Sequence, residues 1–218
     1  MKAEMTSTRY QKSIKENQAK ILTLKKGSNN KKLGFKIIVK KWKKKRLYSL
    51  TLTERETCPE SCHHWTDCYG NNMPFAHRFS VVGLEDKLEQ DIEYLLAKHK
   101  EGIVIRLHVL GDFFNIVYVK FWEDMLLEHP KLAIFGYTAR EHTKPIGKAL
   151  WLLNNRYNER CVIRYSRNEE STSTESYAAD ESFEGDSFIC PEQTGRVDNC
   201  ASCGLCWIAK KTVKFLSH

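Results

Sequence analysis

From Leu84 onward the apolar positions alternate between two rhythms. Leu84, Leu88, Ile92, Leu95 and Leu96 recur at helical spacing, which predicts an amphipathic helix over 84–99, closed by Gly102. Residues 102–111 form a near-continuous apolar run, as a strand buried on both faces requires. Asn115 can cap a helix that runs to about 128, where Pro130 stops it. The alternation then repeats. A strand is predicted over 131–137, a helix over 144–157 with Thr143 as its cap and Pro145 in its first turn, and a strand over 160–166. Upstream, residues 34–39 read as a strand, and residues 47–53 alternate leucines with polar residues as a further one. Downstream, residues 169–187 carry Ser, Thr, Glu and Asp without a basic residue and read as a long exposed loop. Phe188-Ile189 and residues 211–216 predict two last short strands.

Strand and helix in alternation mark a parallel α/β architecture, with connections of the length that right-handed crossovers need. The expected fold class is therefore α/β, a partial (β/α) barrel-like parallel sheet with cysteine-rich loops at the carboxyl ends of its strands. Function in such folds collects at those ends. They fall at Glu54 to Cys68, His108 to Asp112, Tyr137 to Arg140, Ser166-Arg167 and Cys190. Strand alternation puts Arg106, His108 and Asp112 on one side. His108, Asp112 and Arg140 are the candidate cofactor-binding residues, because Arg140 can grip a phosphate or carboxylate with two prongs. Each also has a plainer reading: a satisfied core histidine, a cap of the following helix, and a surface salt bridge with Glu141.

Charge divides the chain. The net charge of +8 over 218 residues conceals sixteen Lys or Arg against two Glu in residues 1–46, a balance of +14; the remainder carries −6. The expected division is a basic, partly mobile arm over 1–46, with a polar stretch to residue 30, and an α/β domain over 47–218 that bears the cysteine-rich loops. The basic character peaks at Lys40, Lys41, Trp42, Lys43, Lys44, Lys45 and Arg46. Such a run binds polyanions by releasing counterions, and Trp42 could stack on an exposed base, so DNA or RNA is the expected partner. No stretch of eighteen apolar residues and no secretory leader is seen, which points to a cytoplasmic protein without a membrane partner.

Cysteine placement carries the chemistry. Seven of the eight cysteines form two groups: Cys58, Cys62 and Cys68, then Cys190, Cys200, Cys203 and Cys206. Thiolates are soft anionic ligands, and short loops let one ion or cluster draw several together. The spacing Cys200-x2-Cys203-x2-Cys206 is that of a ferredoxin-like loop, with Cys190 arriving from upstream. Gly204 permits the tight path, and the proline after Cys190 holds the loop open. The expected cofactor is a 4Fe–4S cluster, one or two per chain, with zinc in a closed site of four cysteines as the alternative. The first group offers only three thiolates. Its fourth position falls to His63 or His64, to solvent or a substrate, or the two groups share one cluster. Cys161, inside an apolar run, reads as a core residue.

The blocks CPESCHHWTDCYGNNM, IRLHVLGDF, FGYTAR and ICPEQTG with CASCGLCW, in that order, resemble the phage-associated "gene product 88" family. That resemblance spans roughly residues 47–218 and implies an iron–sulfur protein in a host cytoplasm. More distantly, three cysteines directly after the first core strand are similar to the radical S-adenosylmethionine partial barrels, which bind a cubane with one open iron. The second gap of five residues and the missing glycine-rich block depart from that pattern. The expected function is iron–sulfur cluster binding, redox-responsive or as a staple, with nucleic-acid contact through the basic arm and a redox partner. A radical or electron-transfer enzyme, and a zinc-stapled nucleic-acid-binding protein, are the alternatives.

Overall fold

Alternation along its strands sorts the residues of this chain onto two differently covered faces of one sheet. The computed structural model describes residues 8–15, 21–62, 64–66, 68–73, 76–166, 178–179, 184 and 186–216. Its elements in chain order begin with α1 (Thr8–Ser13), β1 (Ile14–Lys15), β2 (Lys25–Lys26), β3 (Arg46–Ser49), α2 (Glu54–Thr57) and β4 (Arg78–Phe79). The central units follow: α3 (Leu84–Lys98), β5 (Ile103–Leu107), α4 (Ile116–Glu128), β6 (Leu132–Thr138), α5 (Pro145–Arg156) and β7 (Cys161–Tyr165). The chain closes with β8 (Ala178–Ala179), β9 (Ser187–Ile189), α6 (Cys200–Cys203), α7 (Leu205–Ile208) and β10 (Thr212–Lys214).

The main sheet has the order β2-β3-β5-β6-β7, parallel except for the antiparallel edge strand β2. It is open, with edges at β2 and β7, and does not close into a barrel. Sequential order with right-handed crossovers puts α3, α4 and α5 on one face. That face buries Tyr48, Ile103, Ile105, Leu107, Leu132 and Ile134 against Leu88 and Ile92 of α3, Trp122 of α4 and Leu150 of α5. The opposite face carries Leu47, Val104, Ala133 and Phe135, and a different cover lies on it: Leu33, Ile37, Trp42, Ala201 and Trp207.

That second cover takes in part of the expected arm. Residues 21–46 are built into the same body as the sheet. Leu24 and Ile37 are core residues, and Asp91 of α3, ion-paired with Lys87, accepts hydrogen bonds from the Thr23 and Leu24 amides at 2.6 and 3.3 Å. An apolar residue every few positions among the lysines suffices to bury one side of this segment. Residues 34–39 form a single bridge, Lys36 to Arg46, instead of a strand. Asn115 caps α4 as expected, accepting from the Tyr118 amide at 2.7 Å. Thr143 does not cap α5; Lys144 holds that position without a side-chain bond. The strand before Cys190 is β9, but it belongs to a separate three-stranded sheet, β8-β10-β9. Most of the expected 169–187 loop, with Arg167 before it, lies outside the described residues.

Candidate metal centres

The first cysteine group grows from the carboxyl end of β3. One helical turn, α2, ends with Cys58 as its C-cap, whose amide bonds the Glu54 carbonyl at 2.9 Å. A tight turn follows, from the Pro59 carbonyl to the Cys62 amide. Cys68 caps the next 3-10 turn, its sulfur accepting from the Gly70 amide at 3.4 Å. A buried ion pair fixes this loop. Glu54 takes the Arg78 guanidinium at 2.8 Å, and Arg78 also donates to the carbonyls of Gly70 and Met73. Burial chiefly, then Asp112, Cys62 and Cys68, push the Cys58 thiol well above its ordinary pKa. A group of thiols that repel one another's ionisation is one that a cation would deprotonate and draw in. His64 is exposed, and His63 lies outside the described residues.

The three rim residues have separate fates. Asp112 is buried and ties two strand ends together. It accepts from Thr138 Oγ1, the Ala139 amide and the Phe113 amide, each at 2.7 Å. Burial raises its pKa to about 6, against the pull of those donors and of Arg140. It therefore bridges β5 and β6 beside Cys58, and the cap of α4 is Asn115 alone. Arg140 spends its Nε on the Phe113 carbonyl at 2.7 Å and its Nη2 on the Thr57 carbonyl at 2.6 Å. The double grip foreseen for a ligand is thus made on the protein's own loops. His108 lies in the core: β5 ends at Leu107, and the imidazole enters the aromatic group under α4. Its Nε2 meets the Tyr118 hydroxyl at 3.0 Å, and its ring packs edge-on against Phe113. Burial chiefly, then Arg106, lower its pKa to about 3. A cleft of about 440 Å³ opens beside these residues, lined by Pro59, Ser61, Phe114, Arg140, Lys144 and Ile146.

The second cysteine group lies over the face of the main sheet that the helices leave open. Cys190 is buried and anchored by its amide to the Lys214 carbonyl at 2.9 Å. Asn199 caps α6, its side chain accepting from the Ser202 amide at 3.1 Å, and Gly204 turns the chain through φ 69°. A Cβ there would sit 2.6 Å from Val39, so only glycine fits. The floor beneath is cationic. Arg106 of β5 lies 4.4 Å from the ring centre of Tyr137, whose hydroxyl reaches the Cys206 sulfur. Arg164 of β7 is buried and donates to the carbonyls of Cys206 and Lys211 at 2.8 and 2.9 Å. Among the described residues neither arginine pairs with a carboxylate; the ionisable groups beside them are Cys200, Cys206 and Tyr137. Burial chiefly, then Cys206 and Cys190, raise the Cys200 thiol, while Arg106 lowers it.

Cys58 has Cys62 and Cys68 as its thiol neighbours, and Cys200 and Cys206 both have Cys190 and Cys203. Among the described residues no three His, Cys, Asp or Glu side chains converge tightly enough to hold a single metal ion. Cys161 is buried in the core, as expected. Sequence reasoning missed Trp207 as the keystone of the second cover and the Glu54–Arg78 pair. Neither stands in a pattern that periodicity reads.

The Lys40–Arg46 run is a turn clamped onto the body. Trp42 does not face solvent: it stacks on Trp207 at 5.4 Å and donates Nε1 to the Glu159 carbonyl at 2.8 Å. Its φ of 64° is strained for a bulky residue, and it turns the ring inward. Lys40, Lys43 and Lys44 remain exposed, while Lys41, Lys45 and Arg46 are partly buried. Among the described residues no helix is long and apolar enough to cross a membrane. No curated protein and no solved structure matches this chain. A family model described as "Gene product 88" matches residues 12–202, which takes in the basic segment and both cysteine loops as far as Ser202, and the chain belongs to that family.

Proposed function

We propose that the chain is an iron–sulfur protein whose Cys190, Cys200, Cys203 and Cys206 hold a 4Fe–4S cluster, on a sheet arranged as in a partial (β/α) barrel. The observation that carries this is that Cys200 and Cys206 of the four lie against Arg106 and Arg164, two arginines that have no carboxylate partner among the described residues. Burying uncompensated cations is costly, so such a floor suits a ligand set that becomes anionic. Zinc would need its sulfurs about 3.8 Å apart, from a Zn–S bond of about 2.3 Å. A cubane takes one thiolate per iron at four corners, and the triplet Cys200-x2-Cys203-x2-Cys206, which shares its central cysteine instead of forming two separate knuckles, favours that arrangement over zinc. When bound, a cluster supplies a fixed anchor and a one-electron redox couple.

Through that anchor the cysteine loop would hold the basic turn in place. The Cys200 and Ala201 amides bond the Lys32 and Leu33 carbonyls at 2.8 and 2.9 Å, and Trp207 carries Trp42. Cluster integrity would thus set the affinity of the basic turn for DNA or RNA. A second reading, an enzyme with a cluster on Cys58, Cys62 and Cys68, is favoured by one observation. The cleft beside that group lies at the carboxyl ends of the strands and is lined by Arg140 and by Lys144 with its partner Glu141 at 3.9 Å. One anaerobic preparation separates the readings by iron, sulfide and zinc analysis. About four irons with a broad band near ~400 nm supports the first. About eight irons, with binding of S-adenosylmethionine, supports the second. Colourless protein with one zinc refutes both and leaves a stapled binding module.

A further inference from the structure

We infer that the amino ends of the parallel strands form one cationic face that grips the phosphate backbone of a nucleic acid, in which Lys100, Lys131 and Arg160 share the contact with the Lys40–Arg46 turn. The inference rests on the nucleic-acid part of the reading above and adds the residues and the mode of contact.

Register brings these residues together. Arg46 pairs with Ile103 and Ile103 with Leu132, so the residues that lead into three neighbouring strands stand side by side. The fourth joins through the Ile134 amide, which bonds the Arg160 carbonyl at 2.7 Å. Side chains then lock the loops. Lys45 Nζ donates to the carbonyls of Lys131 and Glu101 at 2.5 and 3.3 Å, Lys131 Nζ to the Lys100 carbonyl at 2.9 Å, and Lys41 Nζ to the Asn158 carbonyl at 3.3 Å. With neighbouring strands about 4.8 Å apart, the four starts span about 15 Å.

Nine cations meet here: the six of the run, with Lys100, Lys131 and Arg160. Glu101 and Glu159 are the acidic neighbours of Lys45 and Lys41. Among the described residues none of the nine forms an ion pair with a carboxylate, although such pairs occur on α4 and at Lys211. Nine cations beside two carboxylates, and in ion pairs with neither, fit a polyanion. The mode follows from Trp42. With its ring committed to Trp207, the run has no free aromatic to stack on a base or to wedge into a bilayer. What remains is charge, which reads a phosphate backbone without reading sequence.

The test is fluorescence anisotropy of the full chain, prepared anaerobically, on a labelled DNA duplex of about two helical turns across a salt series. About five phosphate contacts would give a slope of log K against log salt near −4.5. The double variant Lys100→Gln, Lys131→Gln should flatten the slope by about 1.8. Lys100→Arg with Lys131→Arg should restore it, and Lys148→Gln on α5 should leave it unchanged. Duplex binding with the slope unaltered in the double variant overturns the composite face but spares the nucleic-acid reading. Much tighter binding of single strands than of duplex overturns the backbone mode. No duplex binding by the unaltered chain, or binding only to vesicles of anionic phospholipid, overturns both.

Discussion

His108 shows how a polar residue in an apolar run acquires its chemistry from what surrounds it. Its buried Nδ1 has no partner among the described residues, and its Nε2 is shared with Tyr118. The native state therefore keeps it neutral, with a pKa near 3, while the unfolded chain protonates it near its ordinary 6.5. Between those values the unfolded state binds the extra proton, so this group's contribution to stability is complete above pH 6.5 and is lost as pH falls toward 3. At pH 5 the loss is about 2 kcal/mol. Denaturant titrations at pH 5 and 7.5 should show His108→Gln narrowing the gap between the two conditions by that amount. An equal gap in both proteins would refute the assignment. Nothing in the run Ile-Val-Ile-Arg-Leu-His could have shown on which side of the strand end the imidazole would settle.

At the scale of elements, the periodic stretches were legible and the loops were not. α3, α4, β6 and β7 lie within a residue or two of the spans their periodicity predicts, because each buries a continuous apolar stripe. The first cysteine loop has no stripe; a charge pair shapes it. Removing one partner of the Glu54–Arg78 pair leaves the other charged and buried. Arg78→Met should therefore cost about 3–5 kcal/mol. The same change should loosen Cys68, whose neighbour Gly70 gives its carbonyl to Arg78. Paired with Glu54→Leu, much of the loss should return, since a buried ion pair can be replaced by apolar residues at little cost. Thermal unfolding of the two variants decides this, and an additive loss in the double variant would refute it.

On the scale of the molecule, the two tryptophans join what the chain separates by some 160 residues: the basic turn and the second cysteine loop. Trp42→Ala removes a buried ring that stacks on Trp207 and should cost about 3–5 kcal/mol. It should also lower the iron that the proposed cluster retains per chain after brief exposure to air, because the loop that bears Cys200 and Cys206 loses its cover. Unchanged iron retention at a lowered denaturation midpoint would separate the fold from the metal site and sink that coupling. Local pattern was enough for the alternating α/β elements, the parallel sheet and the gathering of seven cysteines into two groups, since periodicity and short-range spacing are properties of neighbouring residues. The assembled fold was needed to show that the basic segment is part of the body, that Trp42 faces inward, that His108 is core and Arg140 a brace, and that two arginines lie under the second group. Those outcomes depend on which distant surfaces meet. Residues such as Trp42 and Trp207 carry no mark of one another until the sheet brings them into contact.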